Sequence, residues 1–217
     1  GEAYGNLLSE KKFRGFPTMA FMDAEGEVLT SSMDRSVAGF ERVHAALGAE
    51  KVLADKAKAG KLSPVDTGKW LLARMDLGKV ELEAAQTEFA SIESKLSADL
   101  KKEIGPRLVD MEMAKVMSSA PRPRTAEEAE AGQAEMATKF KAMADAKRIP
   151  SDRQALTFWR ILMRDKDEAT AARARKELEA LAERDPSQKA RIEQALNPPV
   201  RRESTPATAI KRGDGGK

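Results

Sequence analysis

Few side chains in this sequence are of the types that carry out chemistry. There are no cysteines, which excludes disulfides, thiolate metal sites and cysteine nucleophiles within the chain. The single histidine, His44, cannot form a histidine-based metal site by itself, and we expect it at the surface of a helix. Glu127, Glu128 and Glu130 form an acidic cluster that is typical of a solvated helix face. The sequence therefore predicts no catalytic residue, no metal site and no cofactor in this chain.

The motif Gly15-Phe16-Pro17-Thr18 is the best candidate for a binding site, and it precedes a short apolar run. Pro17 cannot donate a hydrogen bond to a sheet, so it belongs at a strand start, an edge or a special turn. The segment Asp23-Ala24-Glu25-Gly26 then separates two apolar runs. It predicts the turn of a β-hairpin in which Gly26 has a positive φ. A helix is predicted next, over residues 37–47.

The order of motif, hairpin and helix over residues 1–48 resembles the C-terminal half of the thioredoxin-like fold. In that family a Gly-x-Pro-Thr motif carries a cis-proline, and its loop offers backbone hydrogen bonds to an extended substrate. The resemblance implies that the Phe16–Pro17 bond is cis and that Phe16, Pro17 and Thr18 bind substrate. The alternative is that Pro17 only fixes the geometry of the loop.

The redox chemistry of this family depends on cysteines that this sequence does not contain. A Cys-x-x-Cys pair at a helix N-terminus supplies the thiolate that attacks a disulfide, and in the family it lies upstream of the proline. The 16 residues before Pro17 are too few for the first strand, the catalytic helix and the central strand. We therefore expect a fragment of a longer protein, and we expect this chain alone to be inactive as a disulfide reductase. The compartment cannot be predicted.

Residues 49–196 have the spacing of apolar residues and the boundary signals of helices. Ser63-Pro64 predicts an N-cap followed by a helix-starting proline. Thr125 and Ser151 each begin a pattern that matches the capping box. Pro121 and Pro123 predict a non-helical segment between two of the helices.

Two stretches of this helical region look alike. One begins at Trp70 and the other at Trp159, and each has a bulky helix, a short polar turn and an alanine-containing helix. This pattern weakly resembles tetratricopeptide-type repeats, in which small residues let paired helices approach closely. An irregular helical bundle fits the same pattern.

The last segment, residues 197–217, is rich in proline, glycine and charge, and we expect it to be disordered. It contains five basic and two acidic residues, which account for the whole net charge of +3. The basic balance is therefore a property of the tail and does not indicate a nucleic-acid-binding face. No apolar run is long enough to predict a membrane span.

The sequence thus predicts an α+β fragment, consisting of a thioredoxin-like hairpin and helix, followed by an all-α region of antiparallel helical hairpins. The predicted units are residues 1–48, 49–196 and the tail 197–217. The predicted function is that of a thioredoxin-like member of the thiol–disulfide oxidoreductase family that lacks its Cys-x-x-Cys half in this chain. The alternative is a non-catalytic scaffold that binds a protein or peptide partner. The oligomeric state cannot be predicted.

Overall fold

The computed structural model describes residues 10–11, 19–31 and 36–197. A β-hairpin of β1 (Phe21–Met22) and β2 (Val28–Thr30) comes first, with antiparallel pairing and an irregular register. Gly26 has a φ of +80°, which confirms the predicted turn. The Asp23 carboxylate accepts hydrogen bonds from the amides of Glu25 (3.1 Å) and Glu27 (2.7 Å), so the turn is stabilised by its own side chain.

Eight α-helices make up most of the remaining described chain. In order they are α1 (Val37–Lys58), α2 (Pro64–Asp76), α3 (Leu82–Ile92), α4 (Ala98–Ser119), α5 (Ala126–Asp145), α6 (Asp152–Leu162), α7 (Glu168–Arg184) and α8 (Lys189–Leu196). Short 3₁₀ turns occupy Glu93–Lys95 and Pro186–Gln188.

The predicted fold class, an α+β fragment followed by an all-α region, is wrong, because the described chain is mostly all-α. Its strands are two and three residues long, and a two-stranded hairpin of this size cannot build a sheet layer of its own. The hairpin is instead an attachment to the helices. The Phe21 ring lies 5.9 Å from the ring of Phe40 on α1, and the Thr30 hydroxyl donates to the carbonyl oxygen of Leu77 (3.0 Å).

Helix α1 is longer than the sequence predicts, since it continues from residue 47 to Lys58. Buried side chains extend along it from Val43 through Ala46 to Leu53, so the face that packs on α2 does not stop at the predicted end. His44 is exposed on this helix, as expected.

The helices enclose clusters of buried hydrophobic side chains, and two of these clusters include residues of α4. The N-terminal part of α4 contributes Leu100 and Ile104 to a core shared with α2 and α3. Its C-terminal part contributes Val109 and Met113 to a second core shared with α5 to α8. Pro106 lies between the two parts and has no amide to donate to the carbonyl of Lys102. The regular hydrogen-bond ladder is therefore interrupted where α4 passes from one core to the other.

All three predicted residues are N-caps of their helices, and two of the three form the predicted side-chain capping bond. The Ser63 hydroxyl accepts from the amide of Asp66, and Thr125 accepts from Glu128 in the same way (both 3.1 Å). The Ser151 hydroxyl does not cap its own helix and donates instead to the carboxylate of Asp110 on α4 (2.6 Å). The side chain of Ser151 therefore connects α6 to α4 and does not accept from the first turn of α6.

The two tryptophans that begin the two similar stretches differ in their environments. Trp159 is 2% exposed and meets Phe158 edge to face, with ring centroids 4.9 Å apart. Trp70 is only half-buried, and the guanidinium group of Arg74 covers its ring at 4.1 Å. The Arg74 Nη2 atom also donates to both carboxylate oxygens of Glu88 on α3, at 2.6 and 2.5 Å. The two similar sequences therefore pack differently.

Candidate functional site

The predicted substrate-binding residues Phe16, Pro17 and Thr18 lie outside the described residues. The cis geometry of the Phe16–Pro17 bond therefore stays a prediction. The next described residue is Met19, which is 37% exposed and leads into the hairpin.

A partly buried charge cluster joins α1, α2 and α4. Asp76 Oδ1, at the end of α2, lies 3.5 Å from Nε of Arg42 and 3.6 Å from Nε of Arg107. Burial raises the pKa of the Asp76 carboxyl above its ordinary value of 3.8, and the nearby charge of Asp110 acts in the same direction. The positive charges of Arg107, Arg42 and Arg153 oppose this shift without cancelling it.

The same cluster reaches α6 through Asp110, which is 7% exposed. Its carboxylate accepts from the Ser151 amide at 2.9 Å and from the Ser151 hydroxyl at 2.6 Å. Arg107 Nη1 lies 3.7 Å from Asp110 Oδ2. Because each carboxylate here faces protein donors, the arrangement suits the joining of helices better than catalysis.

A cavity lies between α4 and α5. Helix α4 ends at Ser119, and its C-cap residue Ala120 is already extended (φ −66°, ψ 127°). Pro121 and Pro123 restrict the residues before them to extended conformations, so the linker cannot continue the helix. Thr125 then starts α5, and the space left between the two helices forms an open groove.

This α4–α5 groove has a volume of about 910 Å³. It follows α5 from Glu128 to Lys139, which corresponds to a length of roughly 16 Å at 1.5 Å per residue. Its walls are mainly small or apolar, and they are lined by Val116, Ser119, Ala120, Pro121, Arg122, Pro123, Arg124, Glu128, Ala131, Gly132, Glu135, Met136 and Lys139.

The charged residues of the groove divide into paired and unpaired groups. Glu128 accepts a hydrogen bond from the Arg124 amide (2.6 Å), and Glu135 accepts one from the Lys139 ammonium (2.7 Å). That bond lowers the pKa of Glu135. Within the described part of the chain, no carboxylate forms an ion pair with the exposed guanidinium groups of Arg122 and Arg124. Two free cations therefore stand beside a largely apolar surface.

A second cavity of about 160 Å³ lies beside Trp159, between α5 and α7. Its polar rim is already occupied, since Lys141 donates to Asp145 (3.0 Å) and Arg173 donates to the carbonyl of Ala144 (3.2 Å). The space is small and its charges have protein partners, so it offers less to a ligand than the groove does.

The groove was not predicted from the sequence. Pro121 and Pro123 predict only a break between helices, and Glu128 is assigned to a solvated helix face. The available signal was Pro-Arg-Pro-Arg, which places two arginines in an extended linker next to a helix start. That signal gives no distance between the flanking helices, and the distance is what creates the groove.

Within the described ranges, no helix is long and apolar enough to cross a membrane. No group of three or more histidine, aspartate or glutamate side chains in that part of the chain could hold a metal ion. No protein-family model, curated protein or solved structure matches the sequence.

Proposed function

We propose that this protein is a non-catalytic binding module whose helices recognise a segment of a protein partner. The single observation that carries the proposal is the α4–α5 groove of about 910 Å³. Pockets that bury most of a ligand commonly have volumes of about 300–1,000 Å³ and predominantly apolar walls with a few polar groups. The length of roughly 16 Å along α5 favours a peptide segment over a compact small molecule.

The walls of the groove are held by packing that does not depend on a ligand. Val116 and Met136 lie at the groove and also pack at the edge of the core formed by α4 to α8. Phe140, one turn beyond Met136 on α5, is fully buried against Phe158 with ring centroids 5.2 Å apart. A surface fixed in this way loses little conformational freedom when it binds, which favours affinity.

A display selection with random peptides tests the proposal. The Gly132→Leu variant should fill the groove without disturbing the backbone, because a Cβ atom at Gly132 would meet nothing within 4 Å. We expect peptides selected on the wild-type chain to bind this variant at least tenfold more weakly. The matched control is Gly48→Leu on α1, which is equally open and lies outside the groove. Selected peptides that bind wild type and Gly132→Leu equally would contradict the proposal.

A second candidate is the redox function implied by the resemblance of residues 1–48 to thioredoxin-like proteins. The hairpin with its turn at Gly26 and the contact of Phe21 with Phe40 are compatible with it. With no cysteine in the sequence, the thiols would have to come from outside it. A Cys-x-x-Cys in the coding sequence immediately upstream would support this candidate. Insulin reduction by the purified chain itself would contradict the expectation that this chain is inactive.

A further inference from the structure

We infer that the partner of the α4–α5 groove is an acidic amphipathic helix that inserts bulky apolar side chains. This inference rests on the proposed function and adds the chemistry of the partner. Three features of the groove carry it, namely its apolar surface, its unpaired cations and its small residues.

The apolar surface is provided by both helices and by the linker between them. Val116 on α4 and Met136 on α5 are half-buried, and Pro121 and Pro123 face the same groove. Removing apolar surface of this kind from water is favourable, so a partner that covers it needs apolar side chains of its own.

The charge preference follows from the cations that have no carboxylate partner. Glu135 forms an ion pair with Lys139, whereas Glu128 accepts a hydrogen bond from the neutral Arg124 amide and keeps its negative charge. The guanidinium groups of Arg122 and Arg124 remain available, and guanidinium groups match carboxylates through paired hydrogen bonds. The lining has three cationic and two anionic side chains, so a partner with carboxylates beside its apolar residues complements the groove better than a basic partner does.

The helical form of the partner follows from the small residues on the wall formed by α5. Ala131 and Gly132 lie side by side at the groove, and small residues at a contact allow two helices to approach closely. The roughly 16 Å of α5 that borders the groove corresponds to about three helical turns. Apolar anchors at positions i, i+3 or i+4, and i+7 of a partner helix would face this surface.

Fluorescence anisotropy with the full chain and three labelled peptides of about 12 residues, the length of about three turns, tests the inference. The first peptide has leucines at i, i+4 and i+7 on a glutamate background. The second has lysines in place of the glutamates, and the third has alanines in place of the leucines. We expect the first peptide to bind at least tenfold more tightly than either of the others. Its affinity should fall as the salt concentration is raised.

Charge variants assign the selectivity to the groove. The double variant Arg122→Glu, Arg124→Glu should bind the first peptide at least tenfold more weakly, and Arg122→Lys, Arg124→Lys should have an intermediate affinity, because lysine keeps the charge but not the paired hydrogen bonds. The control Lys189→Glu, Arg191→Glu makes the same change of net charge on α8, where both residues are exposed, and should bind like wild type. Circular dichroism establishes that each variant is folded.

The outcomes separate this inference from the proposed function. Equal binding of the glutamate and lysine peptides, or wild-type affinity in the Arg122→Glu, Arg124→Glu variant, would overturn the acidic helix. If peptides from the random selection still lose binding in Gly132→Leu, the groove remains a binding site and only its assigned partner is wrong. If Gly132→Leu has no effect on any peptide, both proposals fail.

Discussion

At the scale of single residues, Asp76 and Asp110 show how this molecule uses charge inside a helical array. Both carboxylates are largely buried, with side-chain exposures of 11% and 7%. Asp76 contacts Arg42 and Arg107 on other helices, and Asp110 accepts hydrogen bonds from Ser151, which is 41 residues away. Substitution of Asp76 and substitution of Asp110 should therefore affect stability in different ways.

The pH dependence of stability should carry a signature of Asp76. Burial raises the pKa of Asp76 in the folded state. The contribution of its carboxyl group to the free energy of unfolding is therefore fully present below pH 3.8, and it is lost as the pH rises through the folded-state pKa. The Asp76→Asn variant cannot ionise, so it should gain stability relative to wild type as the pH rises from below 3.8 through the folded-state pKa. Urea unfolding of both proteins across this range measures the difference.

Asp66 on α2 provides the matched control for this pH experiment. A hydrogen bond from the Lys56 ammonium lowers the pKa of Asp66, so its contribution is present above the ordinary pKa and is lost on acidification. Asp66→Asn should therefore lose stability relative to wild type as the pH rises, which is the opposite sign. A difference between Asp76→Asn and wild type that stays constant with pH would refute the assignment.

Removal of the Asp110 carboxylate should destabilise the protein strongly. Asp110→Ala leaves the amide and the hydroxyl of Ser151 without their acceptor, and we expect a loss of about 2–3 kcal/mol in the free energy of unfolding. Asp99→Ala, an exposed aspartate in the first turn of the same helix, should cost only ~0.3–1 kcal/mol. Similar losses for the two variants would show that Ser151 does not depend on Asp110.

At the scale of elements, glycines on two helices distinguish a closed contact from an open one. A Cβ atom at Gly68 on α2 would lie 2.9 Å from Leu96 Cδ2 and 3.5 Å from Ile104 Cδ1. A Cβ atom at Gly132 on α5 would meet nothing within 4 Å. The absence of a side chain thus permits close packing in the first case and leaves the groove open in the second.

Valine substitutions at these two glycines should have different effects. Gly68→Val forces a branched side chain against Leu96 and Ile104, and we expect a loss of about 1–3 kcal/mol. Gly132→Val places the same side chain in open space and should change stability by less than ~0.5 kcal/mol, since valine is a somewhat better helix former than glycine. Chemical unfolding monitored by circular dichroism measures both. A larger loss at Gly132 than at Gly68 would mean that the groove is closed in solution.

At the scale of the whole molecule, α4 is the element that both major cores share. Ile104 lies in the core with α2 and α3, and Met113 lies in the core with α5 to α8. The interruption at Pro106 and the charge cluster around Arg107 and Asp110 lie between them. We therefore expect the two groups of helices to respond separately to a local loss of packing.

Hydrogen exchange should reveal this separation. Phe158→Ala removes a fully buried ring that packs on Phe140 and should cost about 3–5 kcal/mol. Mass spectrometry should show faster amide exchange in α5 to α8 and nearly unchanged exchange in α1 and α2. Leu71→Ala, in the other core, should produce the reverse pattern. Uniformly faster exchange throughout the chain in both variants would show that it opens as one unit.

Much of the local structure could be predicted from the sequence because its causes are local. Gly26 takes the positive φ that the turn requires, and Ser63 and Thr125 bond to amides within one helical turn. The capping bond of Ser151 was predicted by the same rule and is wrong. The hydroxyl donates instead to a carboxylate 41 residues away, and no amide of its own helix donates to it.

The fold class was predicted wrongly because the hairpin was assigned to an α+β unit, whereas its strands are only two and three residues long and pack on a mostly helical chain. The turn between the two short strands is easily predicted from the sequence. Most buried residues of the described chain, however, lie on α1 and the seven helices that follow it. The predicted binding residues Phe16 to Thr18 lie outside the described residues, so their role stays a prediction.

By itself, the sequence determined the turn at Gly26, the helix starts at Ser63 and Thr125, and the break at Pro121 and Pro123. These features depend on dihedral preferences and hydrogen bonds within a few residues. Only the tertiary structure decided the burial of Asp76, the bond from Ser151 to Asp110 and the groove beside Gly132. Each of these is a distance between helices that are far apart in the chain, and such distances are set by the packing of the two cores on either side of Pro106.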